Sequence, residues 1–190
     1  MSRAHTTRKL STADERREVL VDAAIRIFAD RGYHAAPTLE IATAAGISQA
    51  YLFRLFPTKA DLFVAVCAAT RRRMVATFSA AGAQARDAGR DPLEAMGRAY
   101  GELVETERDV LLIQLHSQAA AGVETRIRDA MRETFRQLYD VVRRESGAGA
   151  EHLRGWFAHG MLINVMTTIE ADQLDADWAR ALSDRSPEGP

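Results

Sequence analysis

The sequence predicts an all-α protein of about nine helices, a three-helix N-terminal unit followed by a C-terminal helical bundle. Apolar residues recur at three- and four-residue spacing along nearly the whole chain. Proline occurs only five times, and no run shows the β-branched alternation of a half-buried strand. With 190 residues and a hydrophobic fraction of 47%, the chain has the material for a packed core.

The first helix is expected to start at Thr12, with Glu15 completing a capping box, and to end at Gly32. Its buried stripe is Val19, Ala23 and Ile27 beside Leu20, Ala24 and Phe28. Pro37 or Thr38 opens a short second helix that Gly46 stops. Ser48 is the N-cap of a third helix, which runs to Phe56 before Pro57 ends it. Thr58 caps a fourth that extends to about Ala81, after which GAQARDAGRD reads as fray and loop. Asp91 followed by Pro92 opens a fifth helix. Glu107–Ala121 and Glu124–Glu145 give the sixth and seventh, separated at Gly122, and the turn SGAGA precedes an eighth over Glu151–Ala171. Asp175–Leu182 is a short ninth. The organisation expected is a disordered basic arm over 1–11, a DNA-binding unit over 12–60, a ligand-binding and dimerisation unit over 61–183, and a disordered tail over 184–190.

Composition narrows the classes of function. No apolar run approaches the ~20 residues of a membrane span, and the basic start MSRAHTTRKL leads into no apolar h-region, so neither membrane insertion nor a secretory leader is expected. The single cysteine, Cys67, excludes an internal disulfide framework and suits a reducing cytoplasm. Net charge is −1, but residues 1–60 hold nine Lys or Arg against six Asp or Glu, so the N-terminal third is positive and the remainder negative. That sign suits an N-terminal contact with nucleic acid.

The segment LEIATAAGISQAYLFRLF has the build of a helix-turn-helix. Ile41, Ala42 and Ala45 are small or apolar where two helices pack closely, and Gly46 permits the left-handed turn between them. Ile47, Leu52 and Phe56 anchor the second helix. Gln49, Ala50, Tyr51 and Arg54 are left on its outer side, where Gln suits adenine, Arg suits guanine and an alanine methyl suits the thymine methyl. Lys59, at a helix start, suits a backbone phosphate.

These residues resemble the N-terminal domain of the TetR family of transcriptional regulators. The likeness rests on Ala23, Ala24, Ile27, Phe28, Arg31, Gly32 and Tyr33, then on Ile41, Ala42, Ala45, Gly46, Ile47 and Ser48. Leu52, Phe53, Phe56, Thr58, Lys59, Leu62 and Phe63 complete it, about a quarter of the chain. The resemblance implies a homodimer on a palindromic operator of double-stranded DNA, answering to a small-molecule effector in the C-terminal domain. Phe53 and Leu55 stand where the family usually has Tyr and His, and Pro37 replaces a usual Thr or Ser. Tyr51 and Thr38 are expected to take over those phosphate contacts. The DNA-facing candidates are therefore Thr38, Ser48, Gln49, Ala50, Tyr51, Phe53, Arg54, Thr58 and Lys59.

For the C-terminal body the expectations are a pocket and a dimer face. Tyr100, Leu103, Leu111, Ile113, Gln114, Met131, Phe135, Tyr139 and Trp156 are the pocket candidates, with His116 as a further polar member. The eighth helix is apolar over a wide arc, so Leu153, Phe157, Met161, Asn164, Val165 and Ile169 are the interface candidates. Neither a metal site nor a catalytic constellation is expected: His152 and His159 lack a completing ligand, and Ser117 with His116 sits on no recognisable nucleophile turn. The function expected is a sequence-specific regulator, more readily a repressor that blocks polymerase. The alternative is a helical ligand-binding or interaction protein whose reading head has lapsed.

Overall fold

The computed structural model describes residues 4–183, with side chains from residue 14 onward. It forms α1 (Ala4–Ala35), α2 (Thr38–Ala44), α3 (Gln49–Leu55), α4 (Lys59–Asp87), α5 (Pro92–Thr106), α6 (Arg108–Ala121), α7 (Thr125–Ser146), α8 (Ala150–Thr168) and α9 (Asp177–Leu182). A 3-10 turn, Ala171–Gln173, lies between the last two, and no strand occurs among the described residues. The tail expected over 184–190 and the first three residues of the expected arm lie outside the described residues.

Helix α1 begins at Ala4 rather than at Thr12, so residues 4–11 are helix and Thr12 is not an N-cap. Nothing between Ala4 and Thr12 stops a helix, for neither proline nor glycine occurs there. At Gly32 the backbone leaves helical geometry (φ 72°, ψ 171°), so α1 breaks where the sequence placed its end. Leu20, Ala23, Ala24 and Phe28 are buried as expected, but Val19 is 56% exposed. It lies about 100° round the helix from Leu20, off the line that faces α4 and α6.

The N-terminal core forms where α1, α2, α3 and the start of α4 converge. Phe28 meets Phe63 edge-on at 4.8 Å between centroids, Tyr33 lies 5.1 Å from Phe63, and Ile41, Ala42, Leu52 and Leu62 are fully buried around them. Helix α4 then runs unbroken to Asp87, where the sequence pointed to fray and loop beyond Ala81. Its last turns are helical because they are packed: Gly82 and Ala85 are buried, and a Cβ at Gly82 would lie 2.6 Å from Cβ of Glu145 on α7. The glycine that opens the stretch expected to fray instead lets α4 lie close against Glu145 of α7.

Helices α5, α6 and α7 surround α4, and α6 also packs along α1. A second core, with Met74, Phe78, Met96, Val104, Leu111 and Val142 among its members, fills the body. Helix α8 stops at Thr168, earlier than expected, because Glu170 adopts a left-handed conformation (φ 54°) that starts the 3-10 turn. No helix among the described residues is long and apolar enough to cross a membrane.

Candidate nucleic-acid interface and effector cavity

The helix-turn-helix is built as its residue types require. Gly46 has φ 67°, the left-handed conformation that lets the chain turn sharply between α2 and α3. Ser48 caps α3 by accepting a hydrogen bond from the Tyr51 amide at 3.2 Å. Leu52 is fully buried, with Ile47 and Phe56 packed against the same core, so one face of α3 is fixed. The opposite face is open at Ala50 and Arg54, and Phe53 is 39% exposed. Arg54 makes no ion pair among the described residues, leaving its guanidinium available.

Six expected contact residues already have partners within the chain, Ser48 through its cap and Thr38, Gln49, Tyr51, Thr58 and Lys59 through other contacts. Gln49 is half-buried, and its Nε2 donates to Thr38 Oγ1 at 2.8 Å, tying α3 to α2. The Tyr51 ring sits under the guanidinium of Arg16, 5.7 Å from its centroid. Thr58 and Asp61 form a reciprocal capping box, in which the Thr58 hydroxyl donates to Asp61 Oδ2 at 2.8 Å. Lys59 Nζ donates to the His34 carbonyl at 3.0 Å and lies 5.4 Å from the Tyr33 centroid, and partial burial lowers its pKa. An ammonium has three donors, so Lys59 retains capacity for a phosphate oxygen.

The head is fastened to the body at two places that sequence reasoning missed. Arg126, at the start of α7, pairs with Asp61, which the Thr58 hydroxyl and then this guanidinium hold below the usual carboxylate range. His116, expected to reach the pocket, instead turns toward α1, its Nε2 hydrogen-bonded to the Ala29 carbonyl at 3.1 Å. Neither partnership leaves a local signal, since each joins residues 65 or 87 positions apart.

Inside the body a cavity of about 60 Å³ opens among α4, α5, α6, α7 and α8. Tyr100, Gln114, Met131, Phe135 and Trp156 line it, as the sequence suggested. Leu111 and Ile113 do not, because both are buried in the helix packing itself, and Leu103 likewise faces the core. Tyr139 is 37% exposed on the far side of α7 and does not reach the cavity. The sequence missed Phe78, Leu138 and Ile163, whose apolar periodicity is the same whether they border a core or a space.

The interface expectation on α8 needs correction. Leu153 and Asn164 are each 1% exposed within the protomer, so neither can present a surface. Phe157 and Met161 line the cavity, with the Phe157 ring edge-on to Trp156 at 5.1 Å between centroids and tilted toward Phe135 at 6.3 Å. Only Val165 and Ile169 of that set are exposed, and they lie on the same C-terminal stretch as exposed Leu174, Trp178 and Leu182. The wide apolar arc of α8 is divided between cavity wall and outer surface.

Residues 20–66 match the family model of bacterial regulatory proteins of the tetR family. Over 143 residues the chain is 31% identical to the HTH-type transcriptional activator FasR of Mycolicibacterium smegmatis, covering 74% of this chain and 65% of that protein. The chain therefore spans just under two thirds of that relative's length. It superposes on a TetR-family member from Streptomyces coelicolor A3 with a TM-score of 0.69 at 21% identity, covering 90% of this chain and 97% of the other. FadR of Bacillus subtilis, solved in complex with stearoyl-CoA, superposes with a TM-score of 0.68 at 16% identity, covering 88% and 93%. These two likenesses concern the fold.

Proposed function

Because the chain belongs to the TetR family of bacterial regulatory proteins, we propose that it is a sequence-specific DNA-binding transcriptional regulator controlled by a small molecule. The observation that carries this reading is α3: a short helix capped at Ser48, anchored by Leu52, with Ala50 and Arg54 facing outward. A helix held this way fits a major groove, where Arg54 would read guanine and Ala50 a thymine methyl. Lys59, Thr58 and the free end of α4 would lie along the phosphates. Gln49 reads adenine only by giving up or sharing its bond to Thr38, so its discrimination would depend on both residues.

The working form would be a homodimer on a palindromic operator, within the cytoplasm where the DNA is. Exposed Val165, Ile169, Leu174, Trp178 and Leu182 support a self-contact there, since an apolar surface of this kind is costly to leave in water. The cavity supports an effector site, and in the structurally similar FadR a small molecule is bound. Blocking of polymerase by the bound dimer gives repression, whereas FasR is by name an activator; a reporter fused to the target promoter reads the sign.

A mobility-shift assay on the DNA flanking the chain's own gene tests the reading. A salt-sensitive, sequence-dependent shift is expected. Arg54→Ala should weaken binding to the operator more than to random DNA, and Lys59→Ala should weaken both and lower the salt slope by about one. No sequence-dependent shift would favour instead a helical ligand-binding protein with a lapsed head.

A further inference from the structure

Helix α1 begins at Ala4 and runs ahead of the core that it helps to build. Residues 14–19 are all exposed, and Leu20 is the first buried position described on the helix. These turns also precede the segment 20–66 that matches the family model. In a folded protein most helical stability comes from a packed face. Over residues 14–19 the protomer buries none, so this part of α1 has a face to offer to something outside the protomer.

One contact joins this stretch to the reading helix. The Arg16 guanidinium lies over the Tyr51 ring, 5.7 Å from its centroid, and Tyr51 precedes Arg54 by about one turn on α3. Arg16 is exposed and makes no ion pair among the described residues, whereas its neighbour Arg17 pairs with Asp14. A guanidinium set over a ring keeps N–H donors along its edge, so the charge stays open to an outside acceptor. Through Tyr51, the exposed side of α3 that carries Arg54 continues onto α1.

The charges along α1 are sorted by face. At about 100° per residue, positions 5, 9 and 12 return to within about 40° of position 16, and they are His5, Lys9 and Thr12. Asp14, Glu15 and Glu18 fall about 100° or more away from Arg16. Further along the helix the same line reaches Leu20 and Ala23, both buried. One face of α1 therefore packs on the core at its C-terminal side and is polar, with no acid, ahead of it. Lys9 stands about 10 Å from Arg16 along the helix axis. A polyanion lying beside α3 fits this pattern, and duplex DNA carries one negative charge per about 1.7 Å of its length.

We propose that the N-terminal turns of α1 are a second DNA-contacting element, whose face bearing Arg16 and, by register, Lys9 lies along backbone phosphates flanking the groove that α3 enters. The proposal rests on the reading of the chain as a DNA-binding regulator. Its test is the affinity of the full chain, by fluorescence anisotropy over a range of salt concentrations, for the DNA flanking its own gene and for a random duplex of equal length. Arg16→Gln is expected to lower the salt slope by about one on both duplexes, and Lys9→Gln with Arg16→Gln by about two, since each phosphate contact contributes about 0.9. Each single change should weaken both duplexes by a similar factor, about fivefold near physiological salt. Arg16→Lys should keep the slope, and a thermal melt checks that every variant folds. Weaker binding of Arg16→Gln with an unchanged slope would show that Arg16 only holds Tyr51 in place, and overturns the phosphate contact. A slope in Lys9→Gln equal to that of the wild type overturns the extended face. Unchanged affinity and slope in Arg16→Gln, in the presence of a loss in Arg54→Ala, overturns the role of α1 and leaves the regulator reading standing. A wild-type chain with no salt-sensitive binding overturns both, so the two failures are told apart.

Discussion

The imidazole of His116 lies against Gly32. A Cβ built on Gly32 would sit 3.1 Å from His116 Nδ1 and 3.2 Å from Cε1. The contact joins α6, which carries the cavity residues Gln114, Ser117 and Gln118, to the bend that delivers the chain into the helix-turn-helix. Two constraints meet at Gly32, for its φ of 72° with ψ of 171° is a conformation that essentially only glycine adopts.

Gly32→Ala is therefore expected to destabilise the protein by about 2 kcal/mol or more, combining backbone strain with the close contact. The same change made in a His116→Ala background should cost less, because only the backbone part remains. A double-mutant cycle by denaturant melting measures the difference. Strict additivity would show that the ring does not press on the bend. If the contact also carries effector information, His116→Ala should reduce the effect of a cavity ligand on DNA affinity while leaving affinity for the ligand itself intact.

Gly82 makes the corresponding point in the body. Its missing Cβ admits Glu145 Cβ to 2.6 Å and Cγ to 2.9 Å of the position that Cβ would fill, with Met96 Sδ at 3.3 Å. Gly82→Ala should force α4 and α7 apart and cost about 1–3 kcal/mol, although alanine is the better helix former by about 1 kcal/mol. A raised melting temperature in Gly82→Ala would show that propensity wins over packing.

Glu145 gives the fold a sensitivity to acid. Its side chain is 7% exposed, with Arg86 Nη1 at 2.6 Å and Arg144 at 2.9 Å. The hydrogen bond from Arg86 is the largest cause that holds its carboxyl below the usual glutamate value, with Arg144 adding to it. A folded-state pKa below the unfolded one means that the unfolded chain binds more protons between the two. The contribution is present above the unfolded value near 4.5 and is lost as pH falls through the lower folded value. Glu133, lowered to about 2 by Arg136 and Gln137, acts in the same direction from the surface. Melting temperature should thus fall on acidification below the normal glutamate range, and more gently in Glu145→Gln than in the wild type. Parallel pH profiles for the two would remove Glu145 as a cause.

The self-contact is expected at the C-terminal apolar stretch and not along the length of α8. Ile169→Glu, at a position 53% exposed, should halve the mass measured by light scattering without lowering the melting temperature of the protomer by more than about 0.5 kcal/mol equivalent. Phe157→Glu should instead destabilise the protomer, because that ring is packed against Trp156 and Phe135. A dimer mass that survives Ile169→Glu places the interface elsewhere.

Much of the head was legible because its determinants are local. Ser48 precedes the helix that it caps, Gly46 occupies the turn that needs positive φ, and Leu52 falls on the buried face of a seven-residue helix. The family resemblance adds nothing to those physical reasons and agrees with all of them. Three local readings went wrong where context was absent. The stretch GAQARDAGRD looked like fray and loop although its first six residues are helix, Val19 looked like core, and Asn164 looked like an interface residue although it is a buried polar residue lining a cavity.

The amino-acid sequence by itself determined the helical class, the reading helix and its caps, since these depend on residues within a few positions of one another. Tertiary structure alone decided which apolar residues border a space rather than a core, and which side chains join head to body. His116 with Gly32, Arg126 with Asp61, and Tyr100 with Asn164 are brought together by the packing of whole helices. An apolar periodicity specifies that a helix face is covered, but the covering surface is chosen only when the helices meet.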